Sequence, residues 1–227
     1  MADGATPLRK PLILSLALVA AMAAVSLYGW IAIPSGARIA IHWGLEGAPD
    51  GFAGKGLALS VMPAIALLIS AALALVPRID PRRSNLLQSS KAYGAVWVSV
   101  VGLLALVHAA IVANALGFTF EMTTLIGLGI GLLFMILGNF LGKVRSNFFF
   151  GIRTPWTLSS DRVWDRTHRT AGPLFILLGL AICLAAVFLS PRAFFVLLLA
   201  GVVAVTVFVL AYSYVLWRQE QRNAHPG

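Results

Sequence analysis

Three groups of residues in this chain are of types that do chemistry. Arg153, Asp165 and His168 share one polar connection; a guanidinium fork, a carboxylate and an imidazole are what a phosphoryl-transfer or lipid-headgroup enzyme uses to hold and protonate its substrate. His42, Glu46 and Asp50 recur every four residues in another connection and could converge on a metal or a cationic group. His108 is the one histidine inside a long apolar run, with Asn114 and Asn139 as uncharged polar companions. An intramembrane ionisable group is a functional candidate by default.

Each group also has a plainer reading, and the plainer reading is preferred. No nucleophile motif, metal-ligand spacing or phosphate-cradling glycine loop accompanies any of them. His42 is then expected to hydrogen-bond within its loop while the carboxylates face water. Asp165 and Arg169 are expected to form an acid-before-base i, i+4 pair on an interfacial helix that also presents Trp164 and His168. His108 is expected to be neutral and bonded to a carbonyl or hydroxyl. No catalytic residue, metal or cofactor is therefore assigned. A membrane-embedded enzyme or lipid-handling protein using Arg153–His168 remains the first alternative. A small transporter centred on His108 is the second, weakened because no acid sits within a span and no internal repeat is visible.

The elements that must position these residues are helices in a bilayer. Six stretches lack Asp, Glu, Lys and Arg: 11–33, 57–76, 92–116, 122–142, 171–190 and 193–217. A hydrocarbon core of about 30 Å needs about 20 apolar helical residues. With 59% hydrophobic and only 11% charged residues, the chain has too little charge to solvate a globule. The reading is an all-α, polytopic membrane protein with six spans, divided into a two-helix module (1–91) and a four-helix module (92–227). The first span is too long for a signal h-region and is read as retained. Cys183 is alone, so no intrachain disulfide can form.

The +9 charge is read through its distribution rather than as a nucleic-acid signal. Fourteen Lys and Arg fall in the two tails and the second and fourth connections, and three in the others. This bias predicts that both termini are cytoplasmic and that the first connection is external. Direct nucleic-acid binding is not expected.

Two connections hold nearly all the unusual residues. In the external one, Ile39, Ile41 and Trp43 alternate with Ala40 and His42, predicting a short extended piece. Ala48-Pro49-Asp50-Gly51 predicts a turn, and such order suggests a binding loop. In the fourth connection, Thr154-Pro155-Trp156 should be extended or turned, and Ser159 or Ser160 should cap a helix. That helix is expected to turn into the fifth span near Gly172-Pro173, and Pro63 to kink the second. Gly127, Gly131, Gly138 and Gly142 lie on one face of the fourth span, a close-packing surface for another helix or for a second copy of the chain.

These same segments resemble known families. His42-Trp43, Gly47-Ala48-Pro49-Asp50-Gly51 and Lys55 resemble the N-terminal module of a group of uncharacterised membrane proteins. Asn147-Phe148-Phe149-Phe150-Gly151-Ile152-Arg153-Thr154-Pro155-Trp156-Thr157, with Trp164, Asp165, His168 and Gly172, is similar to the signature of the SdpI family. The resemblance implies a six-helix, non-enzymatic immunity or signalling protein. It would resist a toxic peptide outside, hold a DNA-binding repressor of ArsR type inside, and contact membrane lipids.

Overall fold

The computed structural model describes residues 7–224; both chain ends, whose sidedness was expected from charge, lie outside the described residues. Six of its helices are long and apolar enough to cross a membrane. These are α1 (Arg9–Ala32), α2 (Lys55–Ile79), α4 (Ser90–Ala115), α5 (Met122–Leu141), α7 (Asp161–Phe188) and α8 (Pro191–Ala224). Between them lie a hairpin of β1 (Arg38–Trp43) and β2 (Pro49–Gly54), and the short helices α3 (Arg83–Gln88) and α6 (Pro155–Ser159). The surface is inverted relative to a soluble globule: Leu27, Ile31, Leu68, Phe188 and Leu199 stand exposed along the spans. In a bilayer those side chains meet lipid tails rather than water.

By packing, the long helices form two groups of three. In the first, α4 joins α1 and α2 around Met22, Tyr93, Trp97 and Val101 toward one end, and around Ile33, Leu59, Ile111 and Val112 toward the other. Polar pins cross this group: the Tyr93 hydroxyl donates to Leu73 O (2.7 Å). The Ser26 hydroxyl donates to Leu59 O (2.7 Å) and accepts from His108 Nε2 (2.9 Å). In the second group, α7 and α8 pack around Leu178, Ile182, Ala185 and Phe194 against α5.

The glycine face of α5 is occupied by the chain's own α7. A Cβ on Gly131 would lie 2.6 Å from Gly179 O, and one on Gly138 would lie 2.5 Å from Gly172 O. Backbone meets backbone along this antiparallel pair, as small-residue interfaces in membranes allow. The possible homo-oligomer through this face is thereby corrected, since nothing of it is left for a second copy.

Two further corrections concern α7. No turn interrupts it at Gly172-Pro173; one helix runs from Asp161 through Pro173 to Phe188. Continuous packing against α5 holds it across the missing amide, as neighbouring helices do for prolines in membranes. At about 42 Å it overreaches the bilayer, so its charged first turns stand clear of the apolar core. The Asp165–Arg169 pair does not form; among the described residues Arg82 instead meets Asp161 at 3.9 Å.

The hairpin also differs in register from the sequence reading. Its turn is Gly44–Gly47, closed by Gly44 N donating to Ala48 O (2.9 Å), and Gly47 takes φ +76°. Pro49-Asp50-Gly51 opens β2 instead of forming the turn. Proline is admissible there because a first strand residue need not donate to the ladder. The expected alternation fails as well: a bulge between Ala40 and His42 leaves Ile39 and Ala40 buried and Ile41 exposed.

Candidate functional site

The fourth connection, α6 and the first turns of α7 fold into a compact platform at the basic end. Thr154 has extended backbone and caps α6, with Pro155 in its first turn. Its hydroxyl accepts from Thr157 N (3.0 Å), and Thr157 Oγ1 accepts from Thr154 N (2.8 Å). Thr157 Oγ1 also donates to Ile152 O (2.8 Å). Ser160, rather than Ser159, caps α7 by accepting from Val163 N (3.2 Å).

Asn147 staples the loop before α6. Fully buried, it donates through Nδ2 to Arg145 O and Phe150 O, while Oδ1 accepts from Phe149 N (3.0 Å) and Phe150 N (2.7 Å). Trp164, also fully buried, donates from Nε1 to Val144 O (2.7 Å) and stacks on His168 at 4.1 Å. Both nitrogens of His168 are engaged: Nδ1–H donates to Trp164 O (2.8 Å), and Nε2 accepts from Ile152 N (2.8 Å). That arrangement fixes the neutral tautomer and leaves no nitrogen for proton transfer. Gly151 closes the assembly at φ +112°, where a Cβ would lie 2.6 Å from His168 Nε2. Only glycine fits there. Gly172, one helical turn deeper, belongs to the α5–α7 contact rather than to the platform.

Arg153, Trp156 and Asp165 complete the sequence-expected set at its edge. Arg153 is exposed and donates from Nη1 to Phe148 O (2.8 Å). Trp156 packs against Tyr214 of α8 at 5.1 Å. Asp165 and Arg169 line a polar groove of about 380 Å³ with Asn85, Lys143 and Arg145. Arg153 and His168, grouped with Asp165 in the sequence reading, thus take different roles, one on the surface and one in the interior.

The platform is locked from below by the second connection, which contributes residues sequence reasoning missed. Asp80, 5% exposed, accepts from Arg82 N (2.7 Å) and from Phe148 N (3.2 Å). Arg82 donates to the Ser146 hydroxyl and to Leu158 O (3.0 Å), and its guanidinium lies 5.0 Å from the Phe148 ring centre. Asn85 Nδ2 donates to Ser146 O (2.9 Å), and Ser89 Oγ accepts from Arg145 N (2.9 Å). A single acid in an otherwise basic connection was the available signal, since a lone carboxylate next to a proline is a loop-tying residue.

At the opposite end, His42 Nδ1–H donates to Asp50 Oδ1 (2.5 Å), both side chains being mostly exposed. Asp50 therefore does not simply face water, and neither does Glu46, which pairs with Arg192. The three do not converge on one point. Glycines set this geometry: a Cβ on Gly51 would sit 2.8 Å from His42 Cβ, and one on Gly44 would lie 2.7 Å from Asp50 Oδ2. Trp43, with Ile41 and His42, roofs a slot of about 190 Å³ over Ile126, Phe194 and Leu198. Lys55 Nζ donates to Ile33 O (2.5 Å), tying the start of α2 to the end of α1.

Comparison with known proteins divides along these two regions. Residues 143–213, the platform with α7 and most of α8, match the SdpI/YfhL protein family. Residues 17–67, which include the hairpin, match a domain of unknown function, DUF1648. A stretch of 101 residues is 30% identical to the Immunity protein SdpI of Bacillus subtilis (strain 168), covering 44% of this chain and 49% of that relative. The chain thus spans about half the length of the curated relative it matches. No solved structure matches. The chain is a multi-pass membrane protein whose residues 17–67 are similar to DUF1648 and whose residues 143–213 are similar to the SdpI/YfhL family.

Proposed function

We propose that this protein is a non-enzymatic immunity protein of the inner membrane that meets a toxic peptide at its hairpin and signals through its platform. The observation that carries this reading is the character of the platform. Asn147, Thr157, Trp164 and His168 are buried and make their hydrogen bonds within it, chiefly to backbone, whereas Phe148, Phe149 and Arg153 remain at its surface. Such a construction suits binding rather than turnover. It fits a repressor of ArsR type held at the membrane, in keeping with the relative named an immunity protein. The fourteen-to-three distribution of basic residues supports a cytoplasmic platform and an external hairpin.

The test is survival of cells challenged with toxic-peptide-containing medium, compared at matched membrane abundance. Loss of the protein should sensitise its own cells, and Arg153→Lys should do the same, because only arginine has a planar fork. Equal protection by Arg153→Lys would reduce Arg153 to an electrostatic anchor. Unchanged survival without the protein would end the immunity reading. Reporter fusions after Pro49 and after Ala224 should fall in opposite compartments.

A further inference from the structure

A groove of about 790 Å³ lies between α1, α4 and α5 and is overwhelmingly apolar. Its floor is the small-residue side of α4: Pro11 of α1 rests on Gly94, and Ala95, Val98 and Ser99 line the space beside it. Leu14 forms one wall, and Ile136 and Phe140 form the other. From Ser90 to Ser99 the floor is about 13 Å long at 1.5 Å per residue, close to half the thickness of a hydrocarbon core of about 30 Å. The groove therefore has the depth of one leaflet.

Its mouth carries Lys10 and Lys91, both exposed, with Ser90 between the helices. Lys143 adds a third ammonium nearby, 5.2 Å from the centre of the Phe140 ring. None of the described residues lining the groove is acidic. Cations at headgroup depth above an apolar, leaflet-deep channel are complementary to a phosphate followed by an acyl chain.

We propose that this groove binds one anionic phospholipid, its phosphate between Lys10 and Lys91 and one acyl chain lying along α4 toward Ser99. Lipids at other faces exchange over open helix surfaces, whereas this one has a shaped seat and a charge that selects its headgroup. The inference requires only that the basic end lie at a headgroup surface, so it stands apart from the immunity reading.

The test is native mass spectrometry of the full chain in non-ionic detergent, titrated with dioleoylphosphatidylglycerol or dioleoylphosphatidylcholine. One phosphatidylglycerol should be retained well above the statistical background, and phosphatidylcholine should not. The double substitution Lys10→Gln and Lys91→Gln should weaken that first lipid about thirtyfold, corresponding to about 1 kcal/mol for each charge. Ala95→Phe should displace it without changing charge, whereas Arg218→Gln with Arg222→Gln should leave it in place. Equal retention of the two lipids, or unchanged retention in the lysine variant, overturns the proposal. Displacement by millimolar inorganic phosphate also overturns it, because the site would then recognise a free anion rather than a lipid.

Discussion

The platform and the hairpin are both polar, glycine-bearing connections, yet they use their polar groups in opposite ways. Asn147, Thr157, Trp164 and His168 are each at most 1% exposed, and their hydrogen bonds close on one another or on nearby backbone. The His42 and Asp50 side chains are 71% and 53% exposed and bond chiefly to each other. Sequence motifs of similar density can therefore encode a scaffold in one place and an accessible surface in another. The buried motif residues of the platform are needed to build it, whereas His42 and Asp50 of the hairpin stay accessible. Substitutions separate the two cases.

The largest effect is expected for Trp164→Ala, which empties a buried indole site and orphans Val144 O; a loss of about 4 kcal/mol should appear in thermal unfolding of the purified protein. Asn147→Ala removes a buried staple with four hydrogen bonds and should cost about 3 kcal/mol in the same measurement. Asp80→Asn keeps one acceptor oxygen and should lose about 1–2 kcal/mol, with faster hydrogen exchange at Phe148. His42→Ala should change stability by less than about 0.5 kcal/mol, as exposed pairs do, while removing protection in the survival assay. A hairpin variant that unfolded the protein as severely as Trp164→Ala would erase the contrast. A normal melting profile for Asn147→Ala would do so from the other side.

The spans were legible because a bilayer leaves few solutions: an uncharged run of adequate length must be helical and cross it. The boundaries of α4 and α5 fall within two residues of those runs. The cap of α7 was legible from local chemistry at Ser160, whereas α6 was not: Pro155 and Trp156, expected to be extended or turned, start a short helix behind the Thr154 cap. The hairpin register was not legible either, because Gly44–Gly47 and Ala48–Gly51 are both competent turns and only pairing across the strands decides between them. The lock of Asp80, Arg82 and Asn85 onto Ser146 and Phe148 joins residues more than sixty positions apart. No local pattern encodes such a contact. The partner of the α5 glycine face was hidden for the same reason, since spacing shows that a helix is accommodated without showing which one.

The unbroken course of α7 gives the two ends a mechanical relation. Just past its end, Pro191 lies where a Cβ on Gly47 would touch it, and Arg192 holds Glu46. At its start, Trp164 and His168 sit inside the platform, and α8 returns to place the Ser213 hydroxyl 3.3 Å from that of Thr154. The corner between α7 and α8 is thus a bearing on which the hairpin turn rests, and the two helices are struts reaching the opposite surface. Of the two, α7 is set backbone against backbone along α5, with little side-chain padding on that face. The hairpin turn and the Thr154 cap, on opposite surfaces, are therefore joined through regular helix rather than through loops.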